Sequence, residues 1–318
     1  MRVIVIGGTG HIGTYLIPRL ISSGHEVINI SRKKRVPYSL HPAWESVSQI
    51  TIDREQAEAE GNFGALLQEL AGDVVIDLIC FTPESAKMIA EALIGKVQQF
   101  IHCGTMWVHG QSEQVPTTED QRRKPFGNYG INKAKIESYL LNLHNENGFP
   151  VTILHPGHIS GPGWLPINPA GHLTPAVFTR LAKGKEIVLP NLGMETLHHV
   201  HADDVAQAFM KAIENRENAV GESFHVVSEQ ALTLRGYAEA MAHWFGKEAN
   251  LSFLPWDEWK KTVDQHSAEL TWDHIAHSPN GSIEKAKTLL GYKPQYSSLQ
   301  TVQEAVKHYF EKENIKIN

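Results

Sequence analysis

The chain is short of cysteine, of basic excess and of long apolar runs, and each shortage excludes something. Two cysteines in 318 residues, Cys80 and Cys103, cannot build a disulfide framework or a cysteine-rich zinc site. Both close apolar, strand-like runs and read as buried structural thiols. Lys and Arg number 29 against 35 Asp and Glu, a formal net charge of −6. Neither nucleic acid nor an anionic membrane is therefore an expected partner. No apolar stretch approaches the about 18 residues that a membrane span needs. The first strand-like run begins at Arg2, so no signal peptide fits. The expectation is a reduced, cytoplasmic protein. No His-Glu-x-x-His pattern occurs. His198, His199, His201 and Asp203 invite a metal, but Asp203 reads as a helix N-cap, and no metal is expected.

What the chain does have begins at once. Residues 2–6 are β-branched and apolar, a buried strand. Helical periodicity starts at Ile12 and stops near Gly24. The turn between them is Gly7-Gly8-Thr9-Gly10-His11-Ile12-Gly13, a G-x-x-G-x-x-G spacing in a strand-to-helix context. Gly7 can make the tight turn, Gly10 lets backbone approach a pyrophosphate, and Gly13 lets helix and strand pack closely. The N–H groups at the helix start then face the anion, with Thr9, His11 and Ile12 around it.

Residues 26–30 form the second strand-like run. A ribose-binding carboxylate commonly follows such a strand. Here Ser31 and Arg32 follow, then Lys33, Lys34 and Arg35. A hydroxyl and a guanidinium bind a 2′-phosphate that a carboxylate would repel. The sequence thus predicts NADP in preference to NAD. Further buried runs lie at 73–79, 99–103 and 151–154. The end of the first of these places Cys80 and Phe81 beside the adenosine and ribose. Alternating strands and helices through residue 160 predict an α/β, doubly wound parallel Rossmann-type sheet. From 161 to 318 Pro, Gly, Trp and His become frequent, which predicts a smaller C-terminal α+β substrate lobe. Parts of 198–227 are expected to return to the first domain. Trp256, Trp259 and Trp272 read as core of that lobe.

The reacting groups are read from a helix predicted over residues 129 to about 145. Tyr129 and Lys133 are four apart and share a face. A phenol has a pKa of about 10, and an adjacent ammonium favours its ionised form. Thr105 follows the run 99–103, at a strand end where ligands of such sheets bind. Met106, Trp107, His109, His158 and Trp164 flank the same region and are candidate substrate contacts.

With these residues in place, the chain resembles the extended short-chain dehydrogenase/reductase superfamily, in its NAD-dependent epimerase/dehydratase group. The resemblance rests on the Gly7–Gly13 turn, Asp53, the stretch from Thr105 to Gly110, Tyr129 with Lys133, the 155–163 segment His-Pro-Gly-His-Ile-Ser-Gly-Pro-Gly, and the 200–206 segment Val-His-Ala-Asp-Asp-Val-Ala. It implies Thr105 and Tyr129 as acid–base partners, with Lys133 tuning the phenol and binding the ribose. It implies Asp53 at the adenine, and Pro156, His158 and Ile159 at the carboxamide end of the cofactor. It also implies a homodimer through the helix carrying Tyr129. Four departures bear on the substrate. Met106 and Trp107 replace the family dehydratases' Asp-Glu pair. Leu197 stands where an arginine for a substrate diphosphate is common. His155 replaces an arginine and Ser160 a tyrosine. The expected activity is NADP(H)-dependent oxidoreductase or epimerase-like chemistry on a secondary alcohol or carbonyl of a polar small molecule, sugars included. The alternative is a catalytically silent NADP-binding regulatory or RNA-associated protein. Retention of both Tyr129 and Lys133 argues against it.

Overall fold

The computed structural model describes residues 1–32, 37–39 and 41–316. Lys33, Lys34 and Arg35 of the basic run lie outside the described residues. The first half alternates strand and helix: β1 (Arg2–Ile6), α1 (His11–Ser22), β2 (Glu26–Ser31), β3 (Ser48–Thr51), α2 (Arg54–Ala59), α3 (Phe63–Leu70), β4 (Val74–Asp77), α4 (Pro83–Leu93), β5 (Gln99–Cys103), α5 (Gly127–Asn147) and β6 (Val151–Pro156). The chain then makes β7 (His158–Ser160), α6 (Ala176–Ala182), β8 (Ile187–Pro190), β9 (Thr196–Leu197), β10 (His199–His201), α7 (Ala202–Glu214), α8 (Arg216–Ala219) and β11 (Glu222–Val226). It closes with β12 (Leu232–Thr233), α9 (Leu234–Trp244), β13 (Leu251–Leu254), α10 (Trp256–Trp259), α11 (Gln265–His277), α12 (Glu284–Leu290) and α13 (Ser298–Lys312).

Among the described residues one seven-stranded sheet runs in the order β11-β6-β5-β4-β1-β2-β3, and its pairings are parallel. This is the doubly wound α/β architecture that the strand–helix alternation predicts. A strand sends alternate side chains to opposite faces. Val3 and Val5 therefore pack with Leu16 and Leu20 of α1 and Val205 and Phe209 of α7. Ile4 and Ile6 pack with Phe63, Leu67, Ile89 and Ile136 from the helices opposite. The sequence reverses its strand order between β1 and β4, which opens a crevice at the carboxyl ends of the strands.

A third apolar cluster holds the C-terminal elements. Phe178, Leu189, Tyr237, Trp259, Val306 and Phe310 are buried together there. Its small sheets pair β8 with β13 and β9 with β12, whereas the β7–β10 pair packs on the large-sheet cluster through Val200 and Ile159. Between these elements, α7 lies against α1 and β11 hydrogen-bonds to β6, so residues 202–226 belong spatially to the large sheet.

Three local expectations need correction. β4 stops at Asp77, so Ile79, Cys80 and Phe81 lie beyond it. The buried Asp77 carboxylate accepts the Ile79 N–H at 3.1 Å and the Arg54 guanidinium at 2.8 Å, turning the chain away from the strand. The N-cap of α7 is His201, whose Nδ1 accepts the Asp203 N–H at 3.1 Å. Asp203 instead pairs with Arg19 at 2.7 Å and joins α7 to α1. Trp259 is core and Trp256 stacks on it at 5.6 Å, but Trp272 is 48% exposed on the outer face of α11. Among the described residues no helix is long and apolar enough to cross a membrane.

The α1–β1 contact supplies a stability test. A Cβ on Gly13 would overlap the Gly8 carbonyl, a backbone group that cannot move aside. Gly13→Ala is expected to cost about 3 kcal/mol, read as a fall in the urea midpoint at unchanged m-value. An unchanged midpoint would show that α1 has room to shift.

Candidate functional site

A cleft of about 780 Å³ runs along the carboxyl ends of the strands. At one end the β1–α1 turn forms a backbone cradle. Gly7 has φ of 88°, a left-handed conformation that favours glycine. The Gly8 N–H donates to Asn29 Oδ1 at 2.9 Å, and Asn29 Nδ2 donates onward to Gln49 at 2.8 Å. Gly10 is the N-cap of α1, without a side-chain cap and with no acidic residue in the first turn. The first-turn N–H groups and the helix dipole therefore face the cleft at Gly7, Thr9, Gly10, His11 and Ile12. Gly13 does not line the cleft, because its work is the helix–strand contact.

Beyond the cradle, Ser31 and Arg32 line the cleft at the end of β2. Arg32 sits 3.8 Å from Asp53, whose carboxylate also accepts the Glu55 N–H at the start of α2. Arg54 lies beneath them, buried and bound to Glu58 at 2.6 Å, Asp77 at 2.8 Å and Ser85 at 2.7 Å. The sequence reading missed Arg54. Phe81 lines the cleft as expected, whereas Cys80 does not. Cys80 turns inward, burial pushes its thiol up to about 12, and only its carbonyl serves the site.

In the middle of the cleft Thr105 and Tyr129 meet. Thr105 starts the short 3-10 turn Met106–His109, with Oγ1 accepting the Trp107 N–H at 3.3 Å, and its hydroxyl also reaches the Tyr129 phenol. One turn along α5, the buried Lys133 ammonium donates to the carbonyls of Cys80 at 2.7 Å and Cys103 at 2.6 Å. It lies 5.9 Å from the centre of the Tyr129 ring. The expected lowering of the phenol pKa is not what the geometry gives. Burial pushes the Tyr129 phenol up to about 12, with the Thr105 contact opposing. Burial likewise lowers the Lys133 ammonium. The ammonium is engaged by two carbonyls, and burial outweighs its field at the phenol.

The remaining half of the cleft is formed by Met106, Trp107, His158, Trp164, Ile167 and Leu173, with Pro156 and Ile159 at its border. Among the described residues it carries no charged side chain. Trp107 stacks on His277 at 4.1 Å, and Trp164 stacks on His11 at 5.5 Å. His158 is held well below its ordinary pKa, by burial first and by neighbouring His274 and His199 second, so it is a neutral polar contact. His109, expected here, is not in the cleft. It points away, to within 2.8 Å of His225 Nε2. Ile167 and Leu173 come from irregular chain, so no periodicity could have announced them. The His198–His201 group does not converge on one point. His198 is used by the Ser228 carbonyl at 2.9 Å and the Gly281 N–H at 3.1 Å, and His201 caps α7.

A family model described as the NAD dependent epimerase/dehydratase family matches residues 3–226. Over 313 residues the chain is 28% identical to the chloroplast stem-loop binding protein of 41 kDa b from Arabidopsis thaliana, covering 94% of this chain and 76% of that protein. It is 26% identical to 2'-dehydrokanamycin reductase from Streptomyces kanamyceticus, covering 81% of this chain and 70% of the reductase. Among solved structures, UDP-glucose 4-epimerase from Thermotoga maritima superposes with a TM-score of 0.74 at 22% identity, covering 98% of this chain and 99% of that one.

Proposed function

Because this chain belongs to the NAD dependent epimerase/dehydratase family, we propose that it is an NADP(H)-dependent oxidoreductase that reduces a ketone on an uncharged organic molecule. The observation that carries this reading is the meeting of the Thr105 and Tyr129 hydroxyls at the border of a half-cleft with no charged side chain among the described residues. The cradle fits a dinucleotide, since side chains at Gly7, Gly8 or Gly13 would collide with neighbouring atoms. In this reading the turn from Gly7 to Ile12 holds the pyrophosphate, Ser31 and Arg32 the 2′-phosphate, Asp53 the adenine, and Lys133 the nicotinamide ribose. Pro156, His158 and Ile159 border the carboxamide. The bound cofactor supplies hydride exchange.

Proton control falls to the chain. The phenol is protonated at neutral pH and so holds the proton a reduction requires, while burial makes it a weaker acid than a free phenol. Thr105 shares that oxygen and orients the accepting carbonyl. Lys133 has three donors, two of them on backbone carbonyls, which leaves one for a ribose hydroxyl. Trp107, Trp164, Ile167 and Leu173 exclude water and bind an apolar body. A nucleotide-sugar diphosphate would find no cation in that half, consistent with Leu197 standing where an arginine is common.

The test is NADPH oxidation against uncharged ketones and against UDP-glucose and UDP-galactose. Turnover is expected with the ketones alone. Interconversion of the UDP-sugars without net oxidation would replace this reading with an epimerase. Arg32→Ala should raise KM for NADPH about tenfold and leave KM for NADH unmoved. Equal effects on both would remove the 2′-phosphate assignment. The name of the Arabidopsis relative favours a second reading, a stem-loop RNA-binding protein without turnover. Tight RNA retention together with silence toward every carbonyl would support it.

A further inference from the structure

Behind the turn that follows Thr105 lies a cluster the proposed reaction does not use. His109 ends that turn, His155 lies in β6, His225 in β11 and Glu137 on α5. All four are buried, with His155 and His225 at 0% exposure. His155 and His225 are register partners in the parallel pair β6–β11, which sets their rings side by side on one face. One ring nitrogen from each histidine lies within 4.8 Å of the others. Glu137 Oε2 stands 3.4 Å from His155 Nε2, while its other oxygen takes Arg123 at 2.8 Å.

The protonation pattern is constrained. His225 Nδ1 faces the Ser282 carbonyl at 3.2 Å, and a carbonyl only accepts, so Nδ1 carries the proton and Nε2 its lone pair. His109 Nε2 at 2.8 Å then has to donate to it. That leaves His109 Nδ1, both nitrogens of His155 and Glu137 Oε2 buried without a hydrogen-bond partner. His155 Nε2 and Glu137 Oε2 face each other at 3.4 Å, and polar atoms buried with so few partners are costly. A backbone carbonyl behind His225 is also the arrangement that fixes a metal-binding imidazole.

We propose that His109, His155, His225 and Glu137 form a binding site for one divalent transition-metal ion of the zinc class. Three imidazoles and a carboxylate suit a borderline-soft ion in tetrahedral coordination. Zn–N bonds of about 2.1 Å set tetrahedral donors about 3.4 Å apart. The His109–His225 pair therefore opens slightly and His155 moves inward. The His109 proton transfers from Nε2 to Nδ1, freeing the Nε2 lone pair. Close approach is built in: a side chain at Gly104 would press on His155, and one at Gly281 would crowd His225 and Met106. Entry is from a polar groove lined by Arg123, Glu137, Ser223, Ser282 and Lys285. The ion would tie the turn carrying Thr105 to α5, β6 and β11, as a structural staple outside the cleft.

The experiment uses the full chain freed of metal by chelator and then titrated with Zn²⁺ or Co²⁺. One equivalent of Zn²⁺ should bind per chain and raise Tm by roughly 5 °C at a hundredfold excess over Kd. Co²⁺ should give the visible bands of a tetrahedral imidazole site. His109→Asn and His155→Asn should each abolish both signals. No uptake by the wild-type chain, or undiminished uptake by both variants, overturns the proposal. If either variant fails to fold, X-ray absorption of the wild-type Zn²⁺ complex decides. Three imidazoles in a four-coordinate shell support the site, and a water-rich octahedral shell refutes it.

Discussion

Replacing Tyr129 by Phe is expected to lower kcat for ketone reduction by about a thousandfold while leaving NADPH affinity and Tm unchanged. The ring contacts survive the substitution: Trp107 lies at 5.8 Å and Phe81 at 6.5 Å from the Tyr129 ring. The ring, partly exposed at the cleft, is kept, and only the desolvated hydroxyl is lost, so little packing is removed. Only proton delivery disappears. The pH profile gives a second readout. With the phenol pushed up to about 12, reduction stays level into the alkaline range and declines only as the phenol ionises. Thr105→Val should produce a smaller loss, because it removes an orienting contact and not the proton. A Tyr129→Phe enzyme retaining more than a tenth of wild-type kcat would end the assignment of the phenol as proton donor.

The second large effect is acid lability. His198 and His199 are fully buried, and burial lowers them from 6.5 to about 4 and about 3. His274, packed in the same region, also falls to about 4 for the same reason. The folded pKa values lie below the unfolded one, so the unfolded chain takes up protons first. Stability is complete above pH 6.5, falls as pH drops, and levels off only near pH 3 to 4. His198 contributes about 3 kcal/mol and His199 about 5 kcal/mol over that window, and together they rival the whole ~5–15 kcal/mol that holds a domain together. Tm should therefore fall steeply between pH 6.5 and pH 4, with unfolding complete before the lower end. Thermal melts across that range check it. A Tm that stays level down to pH 4.5 would mean that these imidazoles gain protons without opening the core.

The sequence disclosed most of what is local. The glycine turn is contiguous, and Tyr129 with Lys133 is a one-turn spacing, so both could be read without coordinates. The strand-like runs disclosed the sheet because β-branched residues bounded by glycine leave few alternatives. What stayed hidden depends on register or irregular chain. Asn29 supports Gly8 only because β2 runs beside β1. Arg54 reaches Asp77 across the gap between α2 and β4. His109, His155 and His225 are far apart along the chain and meet only through the β6–β11 alignment. The balance between burial and the Lys133 charge at Tyr129 was also illegible, since spacing says nothing of which carbonyls an ammonium reaches.

The position of β11 imposes a schedule on synthesis. β6 is complete at Pro156, yet the strand that covers its outer edge does not begin until Glu222. At a ribosomal pace of about 5–20 residues per second, that edge waits for several seconds on the nascent chain. An uncovered strand is a template for pairing with any neighbouring polypeptide. The interval between Pro156 and Glu222 is thus when a young molecule most needs a chaperone.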